Sequence, residues 1–366
     1  MNDIHGQELT RDDVLTMMQA YKTTSLLRTG VQLGVFEGLA AGPEGAEALA
    51  ARLGTDPRGM RILLNALVAV RLLDLDGNAF RLVSGAAQCL VPGRPGYLGD
   101  MVHVMAGDWE WEALRRLSEA VRHGGVVVPE NAETPGYRYW EDFAEYATAV
   151  AAPTAVTMAD ALDPWARGRS RLDVLDVACG HGYYGFTFAQ RHPAAEVYSL
   201  DWPNVLEVTA RHAERMGVRA RMHALPGDMF EVPLGGPYDL AMVTNVLHHF
   251  SEEKATELLR RTAKALRPGG RLAIVGFVTG GESPAQDPLP HLFSVLMLAW
   301  TSNGEVHSAE AYQRILTAGG FTAIQTHAPK GLPLRVLLAE RSATGEPEEE
   351  SAAGTGRAAA EVPAPR

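Results

Sequence analysis

The chain has 366 residues, of which 46% are hydrophobic and 21% are charged, and its formal net charge is −11. This composition is typical of a globular protein with a sizeable core, and the length allows two or three domains. The negative charge argues against a nucleic-acid backbone as a partner. No apolar run approaches the ~20 residues that cross a bilayer, and the first residues lack a signal-peptide pattern. Two cysteines form neither a disulfide framework nor a zinc cluster, so we expect a cytoplasmic enzyme.

A helix-turn-helix followed by a hairpin is predicted near the N-terminus. Residues 46–67 predict two helices, with Gly54 suited to the end of the first and Thr55 or Asp56 to the cap of the second. Residues 72–82 predict a small hairpin around an Asp-Gly pair. The combination is a winged-helix pattern. Acidic residues accompany it with only a few arginines, which favours dimerisation over DNA binding because DNA readout requires strong phosphate neutralisation.

The rest of the chain divides by composition. We expect a winged-helix dimerisation domain at residues 10–100, a helical and aromatic-rich linker at 101–168, an α/β domain at 169–341 and a disordered tail at 342–366. Alternating strands and helices in the α/β domain predict a doubly wound, mostly parallel sheet. Its strands are expected at 172–177, 196–200, 221–225, 238–244, 271–277, 321–327 and 334–340.

A glycine-bearing turn is the most informative segment of the α/β domain. It follows a strand at residues 172–175, contains Asp176, Gly180 and Gly182, and leads into an apolar helix. Such a turn places a ligand at the carboxyl end of the strand, against the N-terminus of the helix. Asp201 ends the next strand, 25 residues after Asp176, where an acidic residue usually binds a ribose diol. The sequence therefore predicts a nucleoside-type cofactor.

Two carboxylates bear on which nucleoside the turn binds. Gly185 completes a three-glycine spacing that would permit NAD. Asp176, however, heads the turn, where it would repel a pyrophosphate but suits the amino group of an amino-acid moiety. Asp228 follows the third strand, where a carboxylate can accept a hydrogen bond from an adenine amino group. An NAD-dependent enzyme stays open as an alternative.

Two further segments complete an ordered set of motifs: a Leu-His-His-Phe segment at residues 247–250 and Leu-Arg-Pro-Gly-Gly at 266–270. With these, the chain resembles the class I S-adenosylmethionine-dependent methyltransferases. More narrowly, it resembles the small-molecule O-methyltransferases that carry an N-terminal winged-helix dimerisation domain. The resemblance covers roughly residues 10–340. It implies a Rossmann-like, seven-stranded, mostly parallel sheet, S-adenosyl-L-methionine as cofactor and a homodimer formed through the N-terminal domain.

The resemblance also implies which residues form the site. The turn would contact the methionine part, Asp201 the ribose, and Asp228 with its neighbours the adenine. The implied cofactor-binding residues are Asp176, Gly180, Gly182, Asp201, Trp202, Gly227, Asp228, Met229, Phe230 and Asn245. A substrate pocket is expected between this domain and the aromatic-rich helices, although helical aromatics are also common in plain core. Its candidates are Trp109, Trp140, Phe143, Met158, His249, Met297, Trp300 and His307.

His248 is the catalytic candidate. In the resembled enzymes, the histidine of a Leu-His pair after the fourth strand is the general base, and a positioned base typically contributes ~10²–10⁴-fold. Two carboxylates that would orient it are missing, because residues 275–277 carry no acid and Val306 stands where a glutamate is expected, with Glu305 shifted by one. The histidine therefore lacks its usual orienting groups.

The expected function is O-methylation of a small aromatic or polyketide-like secondary metabolite, as in antibiotic biosynthesis, without a nucleic-acid or membrane partner. The missing carboxylates leave C- or N-methylation, or a non-methylating enzyme on the same fold, as alternatives. A winged-helix transcription regulator with a ligand-sensing second domain is a further alternative. No metal is expected, because His248, His249 and His307 lack a supporting His/carboxylate spacing.

Overall fold

The computed structural model describes residues 8–328 and 331–342, so the predicted disordered tail lies outside the described residues apart from Ser342. The helices are α1 (Arg11–Gln32), α2 (Val35–Gly38), α3 (Ala46–Leu53), α4 (Pro57–Ala69), α5 (Ser84–Leu90), α6 (Val102–Met105), α7 (Asp108–Arg115), α8 (Leu117–His123), α9 (Tyr139–Tyr146), α10 (Thr148–Ala166), α11 (Tyr183–Arg191), α12 (Pro203–Arg215), α13 (Glu252–Ala265), α14 (Pro288–Trp300) and α15 (Ala309–Ala318). The strands are β1 (Glu44–Gly45), β2 (Leu73–Asp76), β3 (Ala79–Leu82), β4 (Leu172–Val177), β5 (Ala195–Asp201), β6 (Met222–Pro226), β7 (Tyr238–Thr244), β8 (Leu266–Gly276), β9 (Phe321–His327) and β10 (Arg335–Arg341).

The N-terminal region contains the predicted helix-turn-helix and hairpin. Gly54 ends α3 in the left-handed conformation with φ 65°, and Asp56 caps α4 by accepting a hydrogen bond from the Gly59 amide at 2.7 Å. Strands β2 and β3 pair as an antiparallel hairpin, and β1 adds to β3 to make a three-stranded sheet. The predictions for these elements are confirmed, with Asp56 rather than Thr55 as the cap.

Helix α1 leaves a long apolar surface uncovered by this chain. Met17, Met18 and Tyr21 are each more than 60% exposed, and Gly30 is the one buried residue of the helix. At Gly30 a β-carbon would lie 2.8 Å from the Phe36 ring, so glycine allows the end of α1 to pack closely on α2. A contiguous exposed apolar surface of this kind marks an interaction site.

The large sheet has the strand order β6-β5-β4-β7-β8-β10-β9, with β6 to β8 parallel and β10 antiparallel to both of its neighbours. The predicted seven-stranded, doubly wound and mostly parallel sheet is therefore confirmed. All six residues of β4 are buried, as expected for a strand covered on both faces. The chain winds outwards from β4 in both directions, through β5 on one side and β7 on the other. Ligands of such sheets bind outside the carboxyl ends of the strands at this switch point.

Most predicted strand boundaries agree with the structure to within one residue, and the start of β8 is the exception. The sequence placed the start of the fifth large-sheet strand at residue 271, whereas β8 begins at Leu266. Leu266 pairs with Tyr238 at the start of β7, and the register then shifts before Leu240 pairs with Arg271. The Pro-Gly-Gly segment, which predicts a turn, is thus accommodated as an irregularity within an extended strand.

Aromatic helices cover the carboxyl edge of the sheet. Tyr139 of α9 packs edge-on against Trp300 of α14 with ring centroids 4.4 Å apart, and Tyr137 contacts both rings. Met297 and Trp300 of α14 are buried in this cluster, whereas Leu289 and Leu292 near the start of the helix are exposed. Across residues 8–328 and 331–342, no helix has the length and apolar character needed to cross a membrane.

Candidate active site

A cavity of about 610 Å³ opens at the carboxyl ends of the central strands, which is a size typical of small-molecule sites. One wall comes from the ends of the parallel strands and the loops that follow them. The opposite wall comes from α9, the loop before it and the loop after α14. Its lining includes Ala132, Glu133, Trp140, Phe143, Gly180, Asp201, Trp202, Gly227, Asp228, Met229, Phe230, Asn245, Val246, His249, Lys254, Ser302 and Asn303.

Asp201 anchors the glycine-bearing turn at the end of β5. One carboxylate oxygen accepts a hydrogen bond from the Gly180 amide at 2.8 Å, and the other accepts one from the Trp202 amide at 2.8 Å. Burial raises the pKa of Asp201 to about 6, against the opposing effect of these two amides. At Gly180, which has φ +53°, a β-carbon would lie 3.8 Å from the Phe143 ring. The turn is therefore held close to the opposite wall of the cavity.

Asp176 and Gly182 lie behind this turn, away from the cavity wall. The Asp176 carboxylate is fully buried, and neither of its oxygens has a hydrogen-bond partner among the described residues. Burial raises the pKa of Asp176 to about 8; the nearby Gly185 backbone amide acts in the opposite direction, and Asp201 adds to the increase. At Gly182 a β-carbon would lie 2.3 Å from the Phe186 ring, so only glycine fits there. Direct cofactor contact by these two residues stays a prediction.

Backbone strain marks the strand ends beside the cavity. Ala178, after β4, has φ 51°, and Asn245, after β7, has φ 54°. This left-handed region is costly for a non-glycine residue and persists only where the surrounding structure enforces it. The backbone amide of Asn245 donates a hydrogen bond to the Val275 carbonyl at 2.7 Å, and its side-chain amide donates one to the Tyr184 hydroxyl at 3.1 Å. Both strained residues line the cavity.

The far end of the cavity combines a carboxylate with an aromatic ring. The Phe230 amide donates to Asp228 at 2.7 Å, which fixes the turn after β6. Phe250 packs edge-on against Phe230 at 5.1 Å, and the Lys254 ammonium lies 4.0 Å from the Phe230 ring centroid. A flat base with an amino group fits between such a ring and such a carboxylate.

The two histidines after β7 occupy different positions. His248 is 3% exposed, and its ring lies edge-on to Phe293 at 4.8 Å. Its Nδ1 atom has no hydrogen-bond partner among the described residues. Burial holds the pKa of His248 well below its usual value, with His249 and His307 adding to the effect. His248 is thus neutral at physiological pH, the protonation state that a general base needs.

His249 lines the cavity itself, whereas His248 lies just behind the lining. The His249 ring is 4.6 Å from His248 and edge-on to Trp140 at 5.4 Å. Its Nδ1 atom hydrogen-bonds the Val246 carbonyl at 3.0 Å. Burial lowers the pKa of His249 to about 4, although the Val246 carbonyl and nearby Glu133 act in the opposite direction. The catalytic role assigned to His248 stays a prediction, and His249 is the neighbour against which it must be tested.

The cavity brings together eight of the ten predicted cofactor residues and three of the eight predicted pocket residues, Trp140, Phe143 and His249. The other five pocket candidates lie off its wall. Trp109, Met297 and Trp300 belong to the adjacent aromatic cluster, and Met158 packs in the core under the large sheet. His307 is buried, with Nε2 3.2 Å from the Leu247 carbonyl oxygen.

Several lining residues were missed from the sequence, among them Glu133, Ser302 and Asn303. The Glu133 carboxylate accepts hydrogen bonds from the Ser302 amide at 2.8 Å and from its hydroxyl at 2.6 Å, so two loops distant in sequence are tied together. Loop residues of ordinary polarity carry no periodicity, and no sequence signal could have found them. Within the described parts of the chain, no carboxylate bonds to His248, and no group of His, Cys, Asp or Glu is arranged to hold a metal.

The strand order and the cavity at the switch point define a class of protein: a doubly wound enzyme that binds a nucleoside cofactor. The model of the O-methyltransferase domain matches residues 114–322, more than half of the chain, and the O-methyltransferase dimerisation domain matches residues 15–88. The chain belongs to this O-methyltransferase family. It is an S-adenosylmethionine-dependent methyltransferase, as the resemblance implied.

Relatives and solved structures agree with the family. The chain is 28% identical to acetylserotonin O-methyltransferase of Mus musculus molossinus, covering 94% of both chains. It is also 28% identical to 3-hydroxy-5-methyl-1-naphthoate 3-O-methyltransferase of Streptomyces sahachiroi, covering 83% of this chain and 87% of the relative. A putative O-methyltransferase of Nostoc punctiforme superposes with a TM-score of 0.84 at 29% identity, over 91% of this chain and 100% of that structure.

Proposed function

We propose that this enzyme transfers a methyl group from S-adenosylmethionine to a hydroxyl group of a small aromatic or polyketide-like metabolite. One observation carries the proposal: a single cavity joins a nucleoside-binding end to a wall of aromatic and imidazole rings. The first end contains Asp201 and Asp228, and the second contains Trp140, Phe143 and His249. Flat aromatic walls suit a flat acceptor, and the neutral histidines suit removal of a hydroxyl proton.

The names of bacterial relatives support this acceptor class. The Streptomyces sahachiroi enzyme acts on a hydroxylated naphthoate, and a Streptomyces glaucescens relative, 28% identical over 87% of this chain, is a tetracenomycin polyketide 8-O-methyltransferase. A third, from Streptomyces cremeus, acts on 3-amino-4-hydroxybenzoate and is 26% identical. In all three names, the acceptor is an aromatic or polyketide compound. We therefore place the acceptor in that chemical class.

The cofactor would be held by groups that the structure places on one wall. Asp201 would bind the ribose diol, because a carboxylate accepts two hydrogen bonds side by side. Asp228 would accept from the adenine amino group while Phe230 covers the base. The turn at Gly180 would hold the amino-acid end. When bound, S-adenosylmethionine supplies a methyl group already activated by a cationic sulfur leaving group.

The chain itself must then align the acceptor and take up its proton. Alignment alone can contribute about 7–11 kcal/mol to lowering the barrier. Trp140 and Phe143 would hold the acceptor ring and exclude water. His248 would act as the general base: its Nε2 atom takes the hydroxyl proton, while Nδ1 keeps the proton of the neutral imidazole. Burial keeps the pKa of His248 low, so the base is already neutral before the acceptor binds.

We further propose a homodimer formed through residues 10–100, with residues 101–168 contributing the acceptor wall and 169–341 the cofactor wall. The dimerisation-domain match at residues 15–88 and the exposed apolar side chains of α1 support it. Light scattering after gel filtration should give twice the mass of one chain. The cytoplasmic location and the lack of a nucleic-acid partner stay predictions.

The decisive experiment incubates the enzyme with S-adenosylmethionine and a panel of phenols, hydroxynaphthoates and polyketide aromatics, and follows products by mass spectrometry. A mass gain of one methylene unit, with NMR locating the methyl on oxygen, is expected. A methyl on carbon or nitrogen would overturn O-methylation and leave the methyltransferase intact. Calorimetry should show micromolar or tighter binding of S-adenosylhomocysteine and none of NAD.

A further inference from the structure

Two buried polar atoms without partners converge on the end of β8. One is Nδ1 of His248 and the other is the hydroxyl of Tyr312, which is 1% exposed. Both atoms lie beside Gly276, where a β-carbon would be 4.0 Å from Nδ1 and 3.0 Å from the Tyr312 hydroxyl. The two atoms are therefore no more than about 7 Å apart, the sum of those distances. Each would otherwise carry the energetic cost of an unsatisfied buried polar group.

Among the described residues, neither atom has a hydrogen-bond partner. His307 lies edge-on to the Tyr312 ring at 5.6 Å, but its Nε2 atom is 3.2 Å from the Leu247 carbonyl oxygen. Phe293 covers His248 from α14. The titratable groups facing His248 are His249, His307 and Tyr312, so no carboxylate reaches it from the described elements packed against it. Burial raises the pKa of Tyr312, which therefore keeps its proton.

The absence of a side chain at Gly276 leaves space beside the two groups, which a larger side chain would fill. Buried polar groups with room between them are commonly bridged by one ordered water molecule. Two hydrogen bonds of ordinary length, through one water, span up to ~5.6 Å.

We propose that Tyr312 is the positioning residue for His248, directly or through one water molecule beside Gly276. This inference rests on the proposed function, in which His248 is the base. The Nδ1–H group of the neutral imidazole donates to the Tyr312 hydroxyl oxygen or to the bridging water. This hydrogen bond fixes the tautomer and leaves the Nε2 lone pair free for the hydroxyl of the methyl acceptor. Tyr312 thus takes the place of the carboxylates that the sequence lacks around Gly276 and Val306.

The first test is Tyr312→Phe, assayed with the acceptor identified in the panel. We expect kcat to fall about tenfold, a part of the ~10²–10⁴-fold that a positioned base supplies. The KM of the acceptor and the affinity for S-adenosylhomocysteine should stay unchanged. The melting temperature should change little, because the phenyl ring that packs in the core is kept. An unchanged kcat would overturn the inference.

Tyr238→Phe is the matched control. The Tyr238 hydroxyl is also buried, but it donates to the Leu234 carbonyl at 2.7 Å, at the opposite end of the sheet. Its loss should lower the melting temperature and leave kcat unchanged. This pattern is the reverse of that expected for Tyr312→Phe, so the pair separates positioning from general packing.

The pH profile gives a readout that packing alone would not move. An oxygen accepting from Nδ1–H favours the charged imidazolium, so its loss should shift the acid limb of kcat to lower pH in Tyr312→Phe. Gly276→Ala provides a second variant, because its methyl group would occupy the space beside the two atoms. It should also lower kcat. An acid limb identical to that of the unmodified enzyme in both variants would contradict the inference.

A double-mutant cycle separates this inference from the proposed function. In a His248→Ala background, Tyr312→Phe should cause no further loss of kcat, because the group it positions is gone. If His248→Ala is inactive and Tyr312→Phe is unimpaired, the positioning role fails and the base stands. If His248→Ala keeps full turnover, the base itself is wrong, and the positioning role falls with it.

Discussion

The two walls of the cavity differ in how they are built. The cofactor wall consists of strand ends and turns that side chains tie to backbone amides, as the Asp201 carboxylate accepts from the Gly180 and Trp202 amides. The acceptor wall consists of helices and loops whose aromatic rings pack edge-on, as Trp140 does against His249. The first wall is polar and locally determined. The second is assembled from segments distant in sequence, and it combines aromatic rings with the hydrogen-bonded pair Glu133 and Ser302.

The cofactor wall has a function that is common to all enzymes of the class, whereas the acceptor wall has one that is specific to this enzyme. Every enzyme of the class must hold the same nucleoside, so the cofactor wall depends on a few groups at strand ends. The acceptor wall sets specificity, and loops on a rigid scaffold are where such variation is tolerated. Changes on the cofactor wall should therefore alter cofactor affinity, and changes on the acceptor wall should alter turnover or acceptor affinity.

The largest expected effect is that of His248→Ala at the junction of the two walls. Removal of the base should lower kcat by about 10²–10⁴-fold, while calorimetry shows unchanged affinity for S-adenosylhomocysteine. His249→Ala is the matched comparison, because it removes the neighbouring ring that lines the cavity. A larger loss of kcat in His249→Ala than in His248→Ala would transfer the role of base to His249.

Asp201→Ala should act on the cofactor wall alone. The carboxylate makes charge-assisted contacts worth roughly 1.5–3 kcal/mol each, so S-adenosylhomocysteine should bind about 10–100-fold more weakly in calorimetry. Asp201→Asn keeps one acceptor oxygen for the turn and should lose less affinity for S-adenosylhomocysteine than Asp201→Ala. Equal affinity in all three proteins would show that Asp201 only fixes the turn.

Asp176 does not face the cavity, but its ionisation should make the stability of the folded protein depend on pH. Its folded pKa of about 8 lies above the ordinary value of 3.8, so the folded state holds a proton that the unfolded state releases. Its contribution to stability is present below pH 3.8 and is lost as the pH rises toward 8, by up to ~1.4 kcal/mol per pH unit.

Asp176→Asn should remove this slope, so the difference in unfolding free energy between variant and unmodified protein should grow with pH. Denaturant titrations of the cofactor-free protein between pH 5 and pH 8 measure it. If the unfolding free energies of the two proteins changed equally with pH, the raised pKa of Asp176 would be contradicted. A large loss of cofactor affinity in the variant would instead favour the direct contact predicted from the sequence.

The smallest expected effect is that of Trp140→Ala on the acceptor wall. Aromatic contacts contribute about 0.5–1.5 kcal/mol beyond burial, so the KM of the acceptor should rise about three- to tenfold. Affinity for S-adenosylhomocysteine should not change. Trp111→Ala is a suitable control, because that tryptophan lies on α7 and is absent from the cavity lining. Equal effects of both changes would contradict the division into two walls.

The fold was largely predictable because its signals are local. The residues of β4, β7 and β9 match the predicted strands at both ends, and Gly54 and Asp56 end and begin helices as expected. Alternation, capping and left-handed glycines act within a few residues of one another. The start of β8 at Leu266 was missed because pairing with Tyr238, a partner distant in sequence, overrode a Pro-Gly-Gly turn signal.

The chain's own sequence was sufficient to identify the cofactor wall, since Gly180, Asp201 and Asp228 follow strands whose carboxyl ends must meet at one edge of a parallel sheet. Tertiary structure alone decided the rest. It placed Asp176 behind the turn, put His249 rather than His248 on the cavity lining, and brought Tyr312 to Gly276. These relations depend on how helices and loops pack across the sheet, and packing between distant segments leaves no periodic trace in the order of residues.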